Sequence, residues 1–457
     1  MDKFQLSPKQ ISDICNGTLL NKSDAQINKI VIDSRLDCKD ALFVALKGEN
    51  FDAHDFIPDV LQKNPAAILV SKEIETTTVP QIIVDDTLKA LTILATFNVE
   101  SFNGKIVAVT GSSGKTTTRT MIASILSVEG KTHTPEKNFN NHIGVPLTAL
   151  KLDNSFDYAV FELGCSDFNE IGPLTRIVKP HVALITNVGP AHLENLKNLE
   201  GVAKAKGEIF ENMPMDSVAI INIDDPHIKT IDIKNKKTVT FSMKSNADVR
   251  LIERIPTTDG QTLKISIKGE TLTINLQLPG IYNALDAVGA SACAYALNIA
   301  SKSIITGLES VIPPEGRLKI INKDNFTLID DTYNANPSSM GAALDVLKEL
   351  DKPESSIAVL GDMLELGSES EKAHFELGKK AGMLNLKAII VKGSFKDEVI
   401  KGASFAGMNK DSLFLAQNSD EILNFLSKIL KNGDSLLIKG SRGMKMDEIV
   451  TRILKTF

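Results

Sequence analysis

Short apolar segments alternate with amphipathic ones along the chain, beginning in its first hundred residues. Apolar runs at residues 29–32, 41–46, 66–70 and 81–84 are each bounded by turn residues, which is typical of strands. Strands that alternate with helices favour a parallel sheet with right-handed crossovers. We therefore predict an N-terminal α/β domain over residues 1–102.

The pattern restarts after Asn103-Gly104, where the buried strand KIVAVTG runs through a glycine turn into a long helix. Strands predicted at 158–162, 182–187 and 217–222 continue a parallel sheet. The stretch 239–277 instead predicts antiparallel hairpins, one of them turning at Lys268-Gly269. We therefore predict a central domain over residues 103–312, with a small β-ribbon.

A third set of apolar runs follows the linker-like segment Pro313-Pro314-Glu315-Gly316. Its strands are predicted at 326–330, 356–360, 388–391 and 435–439, separated by helical segments. We predict a third α/β domain over residues 313–457. The chain has 457 residues, which is more than one hydrophobic core supports, and this agrees with three domains.

Composition and charge narrow the possible partners. The formal net charge of -6 argues against a nucleic-acid surface, and no run of 18 apolar residues predicts membrane insertion. The N-terminus lacks the apolar core of a signal peptide, so we expect a cytoplasmic protein, and we expect it to be a monomer. The four cysteines form no C-x-x-C pair, which predicts neither a zinc site nor a disulfide framework.

The turn after the first central strand, TGSSGKTT at residues 110–117, carries the most specific chemistry. Glycine permits backbone angles that let several amide N–H groups converge on one anion, and the following helix adds its positive end. Lys115 is placed to reach the β- and γ-phosphates of ATP, and the Thr116 hydroxyl to ligate Mg²⁺. Val109 stands where the usual loop has its first glycine, so this loop is short. The residues predicted to hold the nucleotide are Gly111, Ser112, Ser113, Gly114, Lys115, Thr116 and Thr117.

Two residues that follow later strands are candidates for the same site. Glu162 ends a predicted parallel strand, at the edge where ligands of α/β sheets gather, and its carboxylate suits Mg²⁺. His192 follows another strand and is a second candidate ligand, although a lone histidine is more often a surface or core residue. For the phosphate loop itself, the alternative is a glycine-rich strand-to-helix turn with an incidental lysine.

Beyond this loop, several segments resemble the Mur ligase family, whose short phosphate loop has the form T-G-x-x-G-K-T. They are KNFNNHIGVP (137–146), AKGEIF (205–210), IINIDDP (220–226), DDTYNANPSSM (330–340) and VLGDMLELG (359–367). The resemblance runs from end to end of the chain. The last two segments are most similar to the member that adds D-alanyl-D-alanine.

The resemblance implies a fold and a reaction. The implied fold has an N-terminal UDP-binding α/β domain, a central P-loop ATPase-like sheet and a Rossmann-like C-terminal domain that closes over the site. The implied activity uses ATP and Mg²⁺ to join D-alanyl-D-alanine to a UDP-N-acetylmuramoyl-tripeptide through an acyl phosphate. This is a step in the synthesis of peptidoglycan precursors.

The resemblance also implies roles for individual residues around ATP. Lys206 matches a lysine that several relatives carbamylate to support a second Mg²⁺; an unmodified, solvated helix lysine is the alternative. Asn283 matches the residue that reads adenine, although it also suits a helix N-cap. Arg317 and Asp331 match residues that contact phosphate and ribose when the C-terminal domain closes.

Substrate-binding residues are implied in all three domains. Ser34 and Arg35 resemble part of the UDP-sugar pocket, with an exposed turn as the alternative, and Asn50 and His54 lie in a second such segment. Further implied substrate residues are Asn140 and Asn141 in the central domain, and Asn334 and Asn336, which we predict bind the dipeptide. Asn336-Pro337 is alternatively a simple helix start.

Two other classes of enzyme stay open at this point. One is another Mur-type amino-acid ligase or a folylpolyglutamate synthase, against which the YNANP and GDMLELG segments argue. The other is a P-loop NTPase switch, for which a full-length loop and a strand ending in aspartate are expected. The sequence leaves open the third residue of the tripeptide (lysine or diaminopimelate), the carbamylation of Lys206 and the domain arrangement.

Overall fold

Three separate β-sheets follow one another along the chain. The computed structural model describes residues 5–48, 50–136, 138–234, 236–350 and 353–457. The predicted α/β fold is confirmed, because strands and helices alternate through all three parts. The exact domain boundaries stay a prediction.

The N-terminal sheet has the strand order β1-β5-β4-β3-β2 and is parallel except for β1. Its strands fall on the four predicted apolar runs, plus one that was missed, β1. The elements are β1 (Thr18–Leu20), β2 (Ile30–Val31), β3 (Leu42–Val44), β4 (Ala67–Val70) and β5 (Gln81–Ile83), with helices α1 (Pro8–Cys15), α2 (Ile57–Leu61) and α3 (Thr87–Glu100).

The central sheet has the order β14-β13-β12-β11-β10-β9-β6-β8-β7. Its strands are β6 (Lys105–Thr110), β7 (Thr132–His133), β8 (Tyr158–Glu162), β9 (Val182–Ile185), β10 (Val218–Asn222), β11 (Lys237–Ser242), β12 (Val249–Thr257), β13 (Gly260–Ile267) and β14 (Glu270–Leu276). Its helices are α4 (Lys115–Glu129), α5 (Gly144–Ala149), α6 (Ile171–Val178), α7 (Leu193–Leu196), α8 (Leu199–Asn212), α9 (Ile281–Ala296) and α10 (Ser301–Glu309).

One part of the hairpin prediction for residues 239–277 is wrong. Strands β12, β13 and β14 are antiparallel as predicted, and Lys268 and Gly269 turn with positive φ angles of 47° and 95°. Strand β11, however, pairs in parallel with both β10 and β12, so it extends the parallel sheet. The sequence reading failed because the antiparallel hairpin signal lies only in the turn, and β11 has no tight turn to its neighbours.

The C-terminal sheet has the order β15-β16-β20-β17-β18-β19, in which only β15 is antiparallel to its neighbour. Its strands are β15 (Lys319–Asn322), β16 (Phe326–Asp331), β17 (Ser356–Gly361), β18 (Ala388–Lys392), β19 (Leu413–Ala416) and β20 (Asp434–Lys439). Its helices are α11 (Pro337–Leu350), α12 (Ser370–Met383), α13 (Lys396–Phe405), α14 (Ser419–Ile429) and α15 (Met446–Thr456).

The apolar cores show how the three parts are joined. One continuous cluster contains side chains of both the N-terminal and the central sheet, and the buried Asn98 of α3 donates to the Ala149 and Leu152 carbonyls of the central part. The two faces of the C-terminal sheet have clusters of their own. Its contacts with the central part include polar ones, such as the Arg254–Glu349 pair with N–O distances of 2.5 and 2.9 Å. The first two parts thus share a core, whereas the third meets them through its own surface.

Candidate active site

The phosphate loop joins β6 to α4, and its two glycines are required by close contacts. Gly111 has a φ of 152°, and a Cβ atom there would lie 1.8 Å from Thr186 Oγ1. Gly114, with a φ of 77°, would place a Cβ 2.4 Å from Asp286 Oδ1. Any side chain at either position would therefore strain the backbone and displace a neighbour.

The segment after β9 holds the loop in shape from behind. The Ser112 N–H donates to the Asn187 carbonyl at 3.0 Å, and the Ser113 N–H to Asn187 Oδ1 at 3.2 Å. Thr186 Oγ1 donates to the Ser113 carbonyl at 2.6 Å. These bonds pre-organise the loop, and its residues 112–117 line a cavity at the N-terminus of α4, a place that suits an anion.

Lys115 begins α4, and its ammonium group folds back over the loop. Its Nζ donates to the Gly111 carbonyl at 2.8 Å. Burial lowers the pKa of Lys115 to about 8; the nearby Lys206 acts in the same direction, whereas Glu162 opposes it. An anion beside this buried ammonium group would stabilise its charged form.

Glu162, at the end of β8, receives polar contacts from three sides. Thr116 Oγ1 donates to its Oε2 at 2.9 Å, and Asn140 Nδ2 donates to its Oε1 at 2.9 Å. Arg119 Nη1 lies 3.6 Å from Oε2. Burial favours the neutral acid, but the charges of Lys115, Arg119 and Arg317 outweigh it and keep the pKa of Glu162 below its usual range. The structure thus places an ionised carboxylate against the Thr116 hydroxyl.

A cavity of about 750 Å³ lies in front of the loop, between the central and C-terminal sheets. Most of the predicted site residues line it. They are Ser112, Ser113, Gly114, Lys115, Thr116, Thr117, Asn140, Asn141, Glu162, His192, Asn283, Arg317, Asp331, Asn334 and Asn336. The residues that line this cavity extend from Thr92 to Gly443, so distant segments of the chain meet at one site.

His192 lies at the rim of this cavity and bonds across to the C-terminal part. Its Nδ1 is 2.8 Å from Glu365 Oε2, and both residues have left-handed backbones, with φ angles of 52° and 64°. Burial lowers the pKa of His192, and the charges of Lys115 and Lys206 add to this effect, whereas Glu365 opposes it. Nε2 has no hydrogen-bond partner among the described residues, and a lower pKa favours its neutral form, which can accept one.

Lys206 lies behind the cavity on α8 and is not among the residues that line it. Its side chain is buried, 2% exposed, with Nζ 3.9 Å from Cys165 Sγ. Burial lowers its pKa. The alternative of a solvated helix lysine is therefore excluded.

Asn283 lies one turn before Asp286 on α9, and both line the cavity. Asn283 Nδ2 donates to the Pro279 carbonyl at 2.7 Å, while Gly280 occupies the N-cap position. The N-cap alternative for Asn283 is thus wrong.

Asp331 and Arg317 reach the cavity from the C-terminal sheet. Asp331 Oδ2 pairs with Lys439 Nζ at 2.6 Å, and its Oδ1 accepts from the Leu318 N–H at 3.1 Å. Lys439 is 2% exposed, and besides this ion pair its Nζ donates to the Asn334 carbonyl at 2.9 Å. Arg317 lies close enough to the loop for its charge to act on both Lys115 and Glu162. Residues of the central and C-terminal parts thus meet in one cavity.

Asn141 and Asn336 each accept a hydrogen bond from a backbone N–H at the start of a helix. Asn141 Oδ1 accepts from the Gly144 N–H at 2.9 Å at the start of α5. Asn336 Oδ1 accepts from the Ser339 N–H at 2.8 Å, and Ser339 Oγ accepts from the Asn336 N–H at 3.0 Å. The helix-start alternative for Asn336 is therefore correct, whereas Asn334 is exposed to the cavity.

The four predicted residues of the N-terminal part lie away from the large cavity. Arg35 is exposed and pairs with Asp33 at 2.7 Å, as its exposed-turn alternative predicts, and the Ser34 carbonyl accepts from Lys63 at 2.6 Å. His54 is buried, with Nδ1 2.5 Å from Asp52 Oδ1 and Nε2 accepting from the Ser71 N–H at 2.9 Å. Asn50 is exposed.

A second cavity, of about 510 Å³, lies beside this segment. It is lined by Leu46, Lys47, Gly48, Leu88, His142 and Ile143, so it spans the N-terminal and central parts. Glu49 and Lys137, which belong to two of the segments that resemble Mur ligases, lie outside the described residues.

Comparison with known proteins identifies the family. The model of the Mur ligase middle domain matches residues 109–294, and that of the Mur ligase glutamate ligase domain matches residues 316–442. The chain belongs to the Mur ligase family. The fold and the family resemblance expected from the sequence are both confirmed.

Individual Mur ligases match over nearly their whole length. A relative from Buchnera aphidicola, named UDP-N-acetylmuramoyl-tripeptide--D-alanyl-D-alanine ligase, is 39% identical, with 99% of this chain and 98% of the relative covered. A crystal structure of MurF from Acinetobacter baumannii has a TM-score of 0.92 at 32% identity and covers 100% of both chains. A MurF ligase from Thermotoga maritima, solved with ADP, has a TM-score of 0.84 at 27% identity, with 93% of this chain and 97% of that chain covered.

Three residues of this Mur ligase site were missed by the sequence reading. Arg119 follows Lys115 by four positions on α4, and Asp286 follows Asn283 by three on α9, so helical spacing alone would place them on the same faces. Burial raises the pKa of Asp286 to about 8, against the effects of Thr118 and Arg317. Tyr333, inside the DDTYNANPSSM segment, carried no assigned role although it lines the cavity.

Asp362 is a residue of the GDMLELG segment that supports the site from outside it. Its buried carboxylate accepts from the Ser394 and Phe395 N–H groups at 2.6 and 3.2 Å, so it fastens the turn after β18. The next part of the segment, Leu364, Glu365 and Leu366, lines the cavity.

Proposed function

We propose that this protein is an ATP-dependent ligase that joins D-alanyl-D-alanine to a UDP-N-acetylmuramoyl-tripeptide. One observation carries the proposal: the phosphate loop and the Asn334 segment, far apart in the sequence, open into the same 750 Å³ cavity. The predicted activity agrees with the names of the relatives from Buchnera aphidicola, Haemophilus influenzae and Escherichia coli, all of which are called by this ligase name.

The proposed reaction has two steps in one cavity. A terminal carboxylate oxygen of the tripeptide attacks the γ-phosphorus of ATP, so that ADP leaves and an acyl phosphate forms. The neutral amine of D-alanyl-D-alanine then attacks the acyl carbon, phosphate leaves with the oxygen that came from the carboxylate, and one amine proton passes to the leaving phosphate. Lys115 and Arg317 stabilise the negative charge that gathers on the transferred phosphoryl group.

The residues around Glu162 fit Mg²⁺. This ion takes one or two carboxylates together with hydroxyl, water and substrate phosphate oxygens, and Glu162 and Thr116 are already in contact. In the proposal they hold the ion, and Nε2 of His192, which lines the same cavity, is a further candidate ligand. Bound Mg²⁺ supplies neutralisation of phosphate charge.

Lys206 is proposed to act after carbamylation, as the family resemblance implies. Its buried amine has a lowered pKa, which raises the fraction of the neutral form that reacts with carbon dioxide. The carbamate would be an anion close to Lys115, because the charge of Lys206 already lowers the pKa of Lys115.

The UDP-sugar is proposed to bind where the N-terminal part meets the central part. The cavity of about 510 Å³ offers space there, and Ser34, Arg35 and Asn50 lie at the surface of the same domain. His54, buried with both ring nitrogens engaged, supports this surface from within.

The remaining elements of the proposal concern the cellular setting. None of the helices that the structure describes has both the length and the apolar character needed to cross a membrane. We propose a monomer that works in the cytoplasm, where its product would serve cell-wall synthesis and, through it, cell shape and division.

Oxygen labelling tests the proposed reaction directly. A tripeptide substrate carrying ¹⁸O in both oxygens of the reacting carboxylate should deliver one ¹⁸O atom to each phosphate released. The experiment has two arms, with lysine or diaminopimelate as the third residue, and the preferred substrate identifies that residue. Unlabelled phosphate in both arms would mean that water attacks ATP, which would exclude an acyl phosphate.

The two asparagines of the Asn-Ala-Asn-Pro segment should behave differently when changed to alanine. Asn334→Ala should raise the KM for D-alanyl-D-alanine about tenfold, the effect of one or two lost hydrogen bonds to a charged ligand, and leave the KM for ATP unchanged. Asn336→Ala should instead lower the free energy of unfolding by about 1 kcal/mol, because it removes the cap of α11. Steady-state kinetics and urea unfolding of both variants check this; an unaltered dipeptide KM would remove Asn334 from the site.

The affinity for ATP should fall as the pH rises through about 8. Burial depresses the pKa of Lys115 to about 8, so the ammonium that pairs with phosphate is fully present below this pH and is lost above it. We expect the Kd for ATP to be constant between pH 6 and 7 and to rise above pH 8, measured by calorimetry. A Kd that stays constant up to pH 10 would show that the charge of Lys115 does not contribute to binding.

A further inference from the structure

Two arginine side chains pack against the aromatic ring of Tyr333. The guanidinium carbon of Arg317 lies 4.1 Å from the ring centroid and that of Arg442 lies 5.2 Å from it. The three residues come from separate segments, before β15, after β16 and after β20. Two like charges repel each other, and the attraction of each guanidinium group to the aromatic ring offsets that repulsion. Tyr333 therefore holds two cations together at one wall of the cavity.

The backbone fastens the first of these arginines to Tyr333 as well. The Tyr333 N–H donates to the Gly316 carbonyl at 3.0 Å, and Gly316, the residue before Arg317, has a φ of 66°. A Cβ on Gly316 would lie 3.0 Å from the Tyr333 nitrogen, so the two segments approach as closely as glycine permits. A shift of Tyr333 would accordingly shift Arg317.

The hydroxyl group of Tyr333 reaches the other side of the cavity. It accepts a hydrogen bond from Asn138 Nδ2, in the segment between β7 and α5. The Asn138 carbonyl accepts from the Asn140 N–H at 2.8 Å, and the Asn140 side chain donates to Glu162. One short chain of bonds thus runs from the two arginines of the C-terminal part to the carboxylate beside the phosphate loop.

The charge of Arg317 affects the titratable groups around the phosphate loop. It acts on Lys115, Glu162 and Asp286, three groups around the loop that are otherwise fixed in the central part. Such an effect depends on the distance between the two parts. The position of Arg317 relative to the loop is set by the ring under it and by the bond from that ring to Asn138.

We propose that Tyr333 is a positioning residue of the ligase: its hydroxyl, held by Asn138, sets the C-terminal part against the phosphate loop, and its ring aims Arg317 and Arg442 at the transferred phosphoryl group. The proposal deepens the function proposed above and rests on it. Tyr333 acts through the arginines and through Asn138, and it need not contact the reacting atoms.

Kinetics of three variants test this proposal: Tyr333→Phe, Asn138→Ala and the double variant. Tyr333→Phe keeps the ring and removes the hydroxyl, so kcat should fall about three- to tenfold, the effect of one hydrogen bond, with the KM for ATP changed less than twofold. Asn138→Ala should give a similar fall, and the double variant should be no slower than either single variant, because all three lack the same bond. Tyr295→Phe, which changes a tyrosine packed against the core of the central part, is the matched control and should keep the normal kcat.

A fourth variant, Tyr333→Leu, removes the ring as well, and kcat should fall about tenfold further because the arginines lose their platform. Unfolding temperatures of all variants show that they are folded. If Tyr333→Phe has the normal kcat, or if its effect multiplies with that of Asn138→Ala, the bond does not position the domain and the proposal is wrong. If Tyr333→Leu equals Tyr333→Phe, the ring does not aim the arginines, and that half is wrong.

The failure of this proposal is distinguishable from a failure of the proposed function. The unaltered protein is assayed first for phosphate release with ATP, D-alanyl-D-alanine and the UDP-tripeptide. Absence of turnover there would refute the ligase function itself. Normal turnover there, with a normal Tyr333→Phe variant, would refute only the role of Tyr333.

Discussion

Replacement of Lys115 by alanine is expected to lower kcat for phosphate release by about 100- to 1,000-fold, the usual effect of removing one preorganised group that stabilises transition-state charge. The ammonium group of Lys115 lies over the loop, 2.8 Å from the Gly111 carbonyl, where the β- and γ-phosphates are proposed to bind. Burial already disfavours its charge. Its removal should therefore leave the unfolding temperature unchanged or slightly higher while activity is lost.

Lys105→Ala is the matched control, because Lys105 begins β6, the strand that leads into the same loop, and its side chain is exposed. It should keep normal kinetics. Phosphate release at saturating ATP, measured beside thermal unfolding, compares the two variants. Near-normal turnover by Lys115→Ala would show that ATP binds elsewhere.

Replacement of Glu162 by glutamine is expected to have the second largest effect, a fall in kcat of about 100-fold with a higher requirement for Mg²⁺. The carboxylate is the one acidic group in contact with the Thr116 hydroxyl among the described contacts of this site, and glutamine keeps its size without its charge. Activity is measured against Mg²⁺ concentration for the unaltered protein and the variant. Glu211→Gln, which changes an exposed acidic residue on α8 in the same part of the chain, serves as the control and should keep the normal kcat.

The Glu162→Gln variant should also alter the pH dependence of ATP binding. The Glu162 charge raises the pKa of Lys115, so its loss lowers that pKa further below about 8. The rise in the Kd for ATP should then begin at a lower pH than in the unaltered protein. An unchanged Mg²⁺ requirement together with an unchanged pH profile would place Glu162 outside the nucleotide site.

The sequence predicted the phosphate loop well because its signals are local. Glycines with positive φ angles, a preceding apolar strand and a following helix are all encoded within about twenty residues. The same holds for the Lys268-Gly269 turn. Strand β8 (Tyr158–Glu162) even has its predicted bounds, which placed Glu162 at the correct edge of the sheet.

The contacts between the parts of the chain could not be predicted in this way. The pairing of His192 with Glu365 and of Tyr333 with Asn138 joins segments 173 and 195 positions apart. Nothing in either segment states how closely the C-terminal part approaches the loop. The family resemblance indicated that Arg317 and Asp331 belong to the site, and the structure adds which neighbours fix them.

Burial was the other property that local patterns did not reveal. Lys206 and Lys439 have the same chemistry as any surface lysine, yet both are 2% exposed. Lys439 is neutralised by Asp331, whereas Lys206 faces Cys165. Likewise, the sequence around Asn336 is compatible with both a helix start and a binding site. Only the hydrogen bond from the Ser339 N–H shows that the Asn336 side chain caps a helix.

The most direct test of the proposed ligase function is the dependence of ATP hydrolysis on both of its other substrates. Purified protein is given ATP and Mg²⁺ with D-alanyl-D-alanine, with the UDP-tripeptide, with both, or with neither, and phosphate release is followed over time. We predict rapid release only when both are present, with one UDP-pentapeptide formed per phosphate. Rapid release without either substrate, or without formation of the pentapeptide, would contradict the account.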